Sequence, residues 1–248
     1  MPRLFWNGSE ARSFTELLQL APDTALNSPH RSVVPLLDFV RVPADALTRI
    51  GDRVRLDLAD AAELRFEHPI PVQRGRGKAS FTDLVVLTPT VSLFVEAKYT
   101  EPEYEPVSKW LEKGSENRRE VLHGWLYLLA KAGRPVPEDA VRNLPYQLIH
   151  RAASACHSNR TTRVMAYLIF GPAREHYAND LRTLASLMGT GITMRVLTCP
   201  VQQGPTLSEL DVRWAAGERL LATDVRRALV QGPLFHFGEL SMVDARPA

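Results

Sequence analysis

The stretch from Leu64 to Tyr99 constrains this chain more than any other. It holds LRFEHPIPV, FTDLVVLTP and VSLFVEAKY, separated by RGRGK and by Pro89-Thr90. Short runs of β-branched and aromatic residues bounded by turn residues read as strands. The nearly continuous apolar character of the last two is that of strands buried on both faces. Such a meander needs cover on both sides, and the rest of the chain is patterned to supply it.

Ser13 and Glu16 have the spacing of a capping box that opens a helix at Phe14. A second helix starts near Ser28-Pro29 and carries Val33, Val34, Leu36, Leu37 and Val40; a short helical turn over 44–50 stops at Gly51-Asp52. Residues 1–50 thus read as an N-terminal helical segment. After the acidic connection TEPEYEP, helices are expected over 107–112, 116–132, 146–156 and 173–188, the last capped by Gly189. Between and after them, TRVMAYLIF and ITMRVLTCP read as buried strands. Residues 51–200 form the core of this reading, and 201–248 a C-terminal helical extension, with the apolar tail PLFHF, packed on the same domain. The fold class is α/β, a mixed central β-sheet flanked by helices.

Three charged residues interrupt the apolar strands. Glu96 and Lys98 share one face because side chains alternate along a strand, with Ala97 on the other. If the last two strands of the meander pair antiparallel across Pro89-Thr90, Asp83 arrives beside them. Burying such charges is costly unless they pair or face a cleft. Two carboxylates and the Ala97 backbone carbonyl suit a hard cation, Mg²⁺ or Mn²⁺, with waters completing its shell. Lys98 is placed to orient an attacking water or to stabilise charge on a phosphate. The plain alternative is a satisfied ion pair of Lys98 with Glu96 or Asp83.

This pattern, Asp83 followed after twelve residues by Glu96-Ala97-Lys98 on a hairpin flanked by helices, resembles the PD-(D/E)XK nuclease superfamily with its restriction-endonuclease-like fold. The resemblance covers roughly residues 30–200 and implies a divalent-metal nuclease acting on DNA. Asp83 and Glu96 would be metal ligands and Lys98 the catalytic lysine. Thr82 stands where the motif has proline. Members of the superfamily often add an upstream acid; Glu67, Glu63, Asp38 and Glu16 are candidates, and Glu67 is preferred. Gln147 opens a helix where some members carry a glutamine near the site. The alternative is a catalytically inactive module of this fold that binds nucleic acid or a protein partner.

Composition adds limits. The 248 residues, 45% hydrophobic and 23% charged, suit one globular domain or a domain with a small appendage. A net charge of +2 argues neither for nor against nucleic acid, so local clusters matter more. Arg74, Arg76 and Lys78 in the RGRGK loop are candidate phosphate contacts, as are Arg118 and Arg119 beside Asn117 in a helix that Ser115 would cap. Arg151, Arg160 and Arg163 form a looser group. A solvated turn is the plain reading of each.

His123, His150 and His157 show no metal-ligand spacing, and Cys156 and Cys199 read as buried thiols of a cytoplasmic protein. Trp110 and Trp125 read as core residues. No apolar run reaches membrane-span length, and no secretory signal, phosphate-binding loop or nucleophile elbow appears. The sequence leaves monomer and homodimer both open.

Overall fold

The structure is a computed structural model that describes residues 2–58, 63–112, 114, 116–189, 191–219 and 221–244. Ser115, the expected helix cap, lies outside the described residues.

The meander forms as the sequence dictates: β3 (Glu63–Ile70), β4 (Ser80–Leu87) and β5 (Val91–Lys98) pair antiparallel in chain order. The Thr88 N–H donates to the Val91 carbonyl and closes the Pro89-Thr90 turn. Helices α5 (Val107–Glu112), α6 (Glu116–Ala132) and α7 (Tyr146–Cys156) then carry the chain to β6 (Thr162–Phe170), parallel to β5. Helix α8 (Glu175–Met188) leads to β7 (Thr193–Cys199), parallel to β6.

The first fifty residues are not wholly helical. Arg3–Trp6 (β1) and Ser9–Ala11 (β2) form an antiparallel hairpin. Asn7-Gly8, both at positive φ, make its two-residue turn. Asn-Gly is the strongest short-range hairpin signal, and it outweighs the helical pattern that begins only at Phe14. Strand β1 pairs parallel with β3, and Trp6 stacks on Phe66 with centroids 6.1 Å apart.

Helices α1 (Phe14–Leu20), α2 (Asp23–Leu26) and α3 (Val33–Phe39) follow. The Ser13 hydroxyl accepts the Glu16 N–H at 3.1 Å, as its spacing requires. Helix α4 (Pro43–Val54) runs through Gly51 and ends at Arg55, which sits in the left-handed region. Gly51 serves packing rather than a break: a Cβ there would come within 2.7 Å of the Leu56 carbonyl oxygen.

At the C-terminal end, β8 (Val201–Gln203), α9 (Pro205–Ala215) and α10 (Ala222–Gln231) precede β9 (Phe235–Phe237) and β10 (Ser241–Asp244). The tail PLFHF thus supplies a strand, β9, which pairs with β8, while β10 pairs antiparallel with β7. Among the described residues the main sheet has the order β10-β7-β6-β5-β4-β3-β1-β2.

Helices cover both faces. A first core joins α1–α4, α9 and α10 to Leu64, Phe66, Leu84, Leu93, Val95 and Ala97. A second core joins α6, α7 and α8 to Val85, Phe94, Tyr167 and Ile169. The class is α/β with a mixed central sheet flanked by helices. Among the described residues no helix is long and apolar enough to cross a membrane.

Candidate active site

The site begins where the hairpin ladder stops. Between β4 and β5 the register runs from Leu87↔Ser92 to Leu84↔Val95. One step further, the Asp83 carboxylate takes the place of a ladder partner: its Oδ2 accepts the Ala97 N–H at 2.8 Å. The N–H and C=O of a strand residue lie on the same edge. The Ala97 carbonyl therefore faces the same gap as Asp83.

The next strand is irregular at the same level. Phe66↔Leu84 and His68↔Thr82 pair on either side of Glu67, which sets Glu67 opposite Asp83. Glu67 has φ +48°, a left-handed conformation that costs a non-glycine residue about 1 kcal/mol or more. Leu64 and Phe66 belong to the first core but Ile70 to the second, although strict alternation would put all three on one face. Glu67 re-phases the strand. The upstream acid preferred from sequence thus stands in line with Asp83 and Glu96 across three adjacent strands. The other candidates lie elsewhere: Glu16 sits in the first turn of α1 and pairs with Arg12, Glu63 pairs with Arg3 and Arg65, and Asp38 is buried in α3.

Glu96 and Lys98 point into the second core, almost fully buried. Lys98 Nζ donates to Glu96 Oε1 and to Gln147 Oε1, both at 2.8 Å. Gln147 therefore touches Lys98 directly. On the same helix, Arg151 Nε donates to Glu96 Oε2, and its Nη1 donates to Ser80 Oγ at 2.9 Å. Ser80 Oγ lies 2.8 Å from His150 Nδ1 and accepts from Ser154 Oγ at 3.1 Å. From sequence Arg151 reads only as one of a loose basic group and His150 as a histidine without metal-ligand spacing, while Ser80 and Ser154 carry no site reading. The signal was present in α7: Gln147, His150, Arg151 and Ser154 follow i, i+3, i+4, i+7 spacing, so one helical stripe that should be apolar is polar.

Burial alone would raise the Glu96 carboxyl, but Arg151 and Lys98 outweigh it and hold it below the ordinary range. Asp83 goes the other way, pushed well up by burial and by the negative charge of Glu96. Burial also raises Glu67, with Glu96 adding to it. Lys98 loses some basicity to burial, yet Glu96 and Asp83 more than restore it. His150 is held neutral by burial and by the nearby Arg151 and Lys98 cations.

The donor set fits a hard divalent cation. Asp83, Glu96 and the Ala97 carbonyl are all oxygen donors. A cation between the two acids would relieve the repulsion that raises Asp83. Each Glu96 oxygen accepts one N–H here, and a carboxylate oxygen has a second lone pair free. Among the described residues no three His, Cys, Asp or Glu side chains form a ready cation cage. The fit is that of a two-acid, one-carbonyl set completed by water.

A cavity of about 330 Å³ opens beside this cluster, lined by Arg76, Lys78, Ser80, Asn117, Arg118 and His150 among others. Arg76 and Lys78 from the glycine loop thus meet Arg118 from α6. Asn117 ties the loop down, accepting the Arg76 N–H at 2.6 Å and donating to the Arg76 carbonyl at 2.7 Å. Arg74 and Arg119 do not join them. Arg74 lies over the Tyr127 ring, and Arg119 pairs with Glu138 at 3.7 Å. His123 also pairs with Glu138, at 2.9 Å. Trp125 is a core residue, while Trp110 is half-buried and stacks on Tyr146 with centroids 3.7 Å apart. Cys156 and Cys199 are free and buried, and burial pushes the Cys156 thiol up to about 12.

Fold and cluster together define an α/β protein with buried acids gathered at a break in its central sheet. A family model described as Domain of unknown function (DUF6946) matches residues 11–219. The chain belongs to that family. No curated protein and no solved structure matches it.

Proposed function

We propose that this chain is a divalent-metal-dependent nuclease that hydrolyses phosphodiester bonds of DNA, with Asp83, Glu96 and the Ala97 carbonyl as the Mg²⁺ or Mn²⁺ site. One observation carries the reading. At the point where the β4–β5 ladder stops, Asp83, Glu96, Lys98 and the Ala97 carbonyl converge as the resemblance to PD-(D/E)XK nucleases implies. Bound there, the cation supplies Lewis acidity toward a phosphate oxygen and a more acidic water.

The chain's own residues account for the rest. Lys98, charged and fixed by Glu96 and Gln147, presents a donor to the attacking water or to the phosphate. Glu67 adds a third acid at the rim. Arg76, Lys78 and Arg118 line the neighbouring cavity and hold the phosphate backbone beside it.

The test is cleavage of single- and double-stranded DNA by purified protein in Mn²⁺ or Mg²⁺. Lys98→Ala should lower the rate by about a hundredfold or more while the circular dichroism spectrum stays native. A wild-type protein that cleaves neither DNA nor RNA with either ion would sink the proposal.

A second reading rests on a specific observation. Both Glu96 oxygens already carry an N–H bond, one from Lys98 and one from Arg151. A satisfied buried network of this kind also suits a non-catalytic module of the same fold. It predicts salt-sensitive DNA binding that survives Glu96→Gln and no metal-stimulated cleavage.

A further inference from the structure

A second cavity of about 240 Å³ lies near Lys98, its walls including Glu103, Tyr104, Tyr167, His176, Tyr177 and Asp180. It adjoins the charged cluster. Lys98 Nζ sits 4.5 Å from the centroid of the Tyr104 ring, and Tyr167 is the register partner of Glu96 on β6. Its chemistry differs from that of the basic cavity. Three tyrosines supply aromatic surface, with Tyr167 and Tyr177 centroids 4.8 Å apart, and two carboxylates supply acceptors.

Two of its polar atoms are unsatisfied. Among the described residues, the Tyr177 hydroxyl and His176 Nε2 are buried without a hydrogen-bond partner. Tyr177 as a whole is only 4% exposed. Arg174 approaches its hydroxyl but does not reach hydrogen-bond geometry. A buried polar atom without a partner costs about 1–3 kcal/mol, and such atoms in a native fold call for a reason. Here both border a cavity beside the reacting groups.

We infer that this cavity receives an unpaired nucleobase carrying an exocyclic amino group, from the nucleotide next to the phosphate held at Lys98. The inference rests on the nuclease reading and deepens it. The volume is below the range for drug-sized ligands and suits a ring system rather than a whole nucleotide. The tyrosine rings give the base a stacking surface. Asp180 and Glu103 accept from the amino group, and the Tyr177 hydroxyl donates to a ring nitrogen or carbonyl. Burial raises the Asp180 carboxyl, as expected of an acceptor already partly withdrawn from water. Cytosine, adenine and guanine each carry such a group. Thymine would turn a carbonyl toward the carboxylates. A base can enter only if it is out of a duplex stack, so the preferred DNA is single-stranded or frayed at the site.

The experiment measures the affinity of the full chain for end-labelled oligo(dC) and oligo(dT) by fluorescence anisotropy in EDTA. Cleavage of the same strands is measured separately in Mn²⁺. Both are pyrimidine homopolymers, which limits the difference in stacking. Oligo(dC) should bind about five- to tenfold tighter, the worth of one or two hydrogen bonds. Tyr177→Phe and Asp180→Asn should each reduce that preference and leave oligo(dT) affinity unchanged. Tyr177→Phe removes only an unpartnered hydroxyl, so it folds as the parent does. Equal affinities, or a preference that survives both substitutions, overturn the base pocket while leaving any cleavage to stand. A preference without Mn²⁺-dependent cleavage overturns the nuclease reading and keeps the pocket. Binding of neither strand overturns the pocket, and cleavage in Mn²⁺ then decides the nuclease reading separately.

Discussion

On one face of the central sheet Asp38 lies buried in the first core; on the other, Glu96 lies buried in the second. Asp38 Oδ2 accepts the N–H groups of Leu234 and Phe235, both at 2.8 Å, and Oδ1 accepts from Arg41 Nη2 at 2.7 Å. Arg41 continues to the carbonyls of Leu229 and Gly232. Every link ties α3 to the chain around α10 and β9. Glu96 is held by side-chain cations instead, and it crowds Asp83 and Glu67, whose carboxyls burial raises and the Glu96 charge raises further. The difference teaches how to sort buried acids. One neutralised by backbone donors and a single arginine works as a clamp. One placed against other acids keeps an electrostatic cost in the fold, as sites that use charge do.

Substitutions should separate the two faces, and the clamp gives the largest change. Asp38→Ala leaves two buried N–H groups and Arg41 without their acceptor, and should lower stability by about 3 kcal/mol. Urea denaturation measures this, and Mn²⁺ affinity by calorimetry should be unchanged. A loss below about 1 kcal/mol would show that the clamp is not structural.

Asp83→Asn should do the reverse. It removes a charge raised by burial and by Glu96, while its amide oxygen can still accept the Ala97 N–H. Stability at neutral pH should rise by about 1 kcal/mol while Mn²⁺ binding is lost. A destabilised variant that still binds Mn²⁺ would break the comparison.

The smallest effect concerns acid. His68, next to Glu67, is lowered to about 4 from an ordinary 6.5, chiefly by burial and then by Arg65. Between those values the unfolded chain binds a proton that the native chain refuses, so stability is lost as pH falls through the window. His68 is partly exposed, which limits its share to about 1 kcal/mol. His68→Gln should flatten the fall in urea midpoint between neutral pH and pH about 4.5 by that amount. Neutral His150 acts in the same direction, so some slope should remain. An unchanged slope in His68→Gln would show that the histidine is not desolvated.

Much of this was legible in the residues. Strands β4 to β7 and helices α5 to α8 follow from apolar period and punctuation, which act over a few neighbours along the chain. The Asp83, Glu96 and Lys98 cluster followed from one further step, since the Pro89-Thr90 turn fixes a hairpin register. Gln147 came through resemblance, and its contact with Lys98 is direct. The β1–β2 hairpin could have been read from Asn7-Gly8.

The rest depended on distance in sequence. Strands β8 to β10 are short, and their pairing partners lie outside any local window. Arg151 reads from sequence only as one of a loose basic group, because nothing near it in sequence shows that α7 packs over Glu96, fifty-five residues away. The left-handed Glu67, the open end of the β4–β5 ladder and the grouping of Tyr104, Tyr167 and Tyr177 around one cavity are likewise products of packing. Sequence by itself determined the elements and the charges they carry, because period, turns and caps are local. Only the tertiary structure decided which charges meet, because that depends on how sheet and helices bury their faces together.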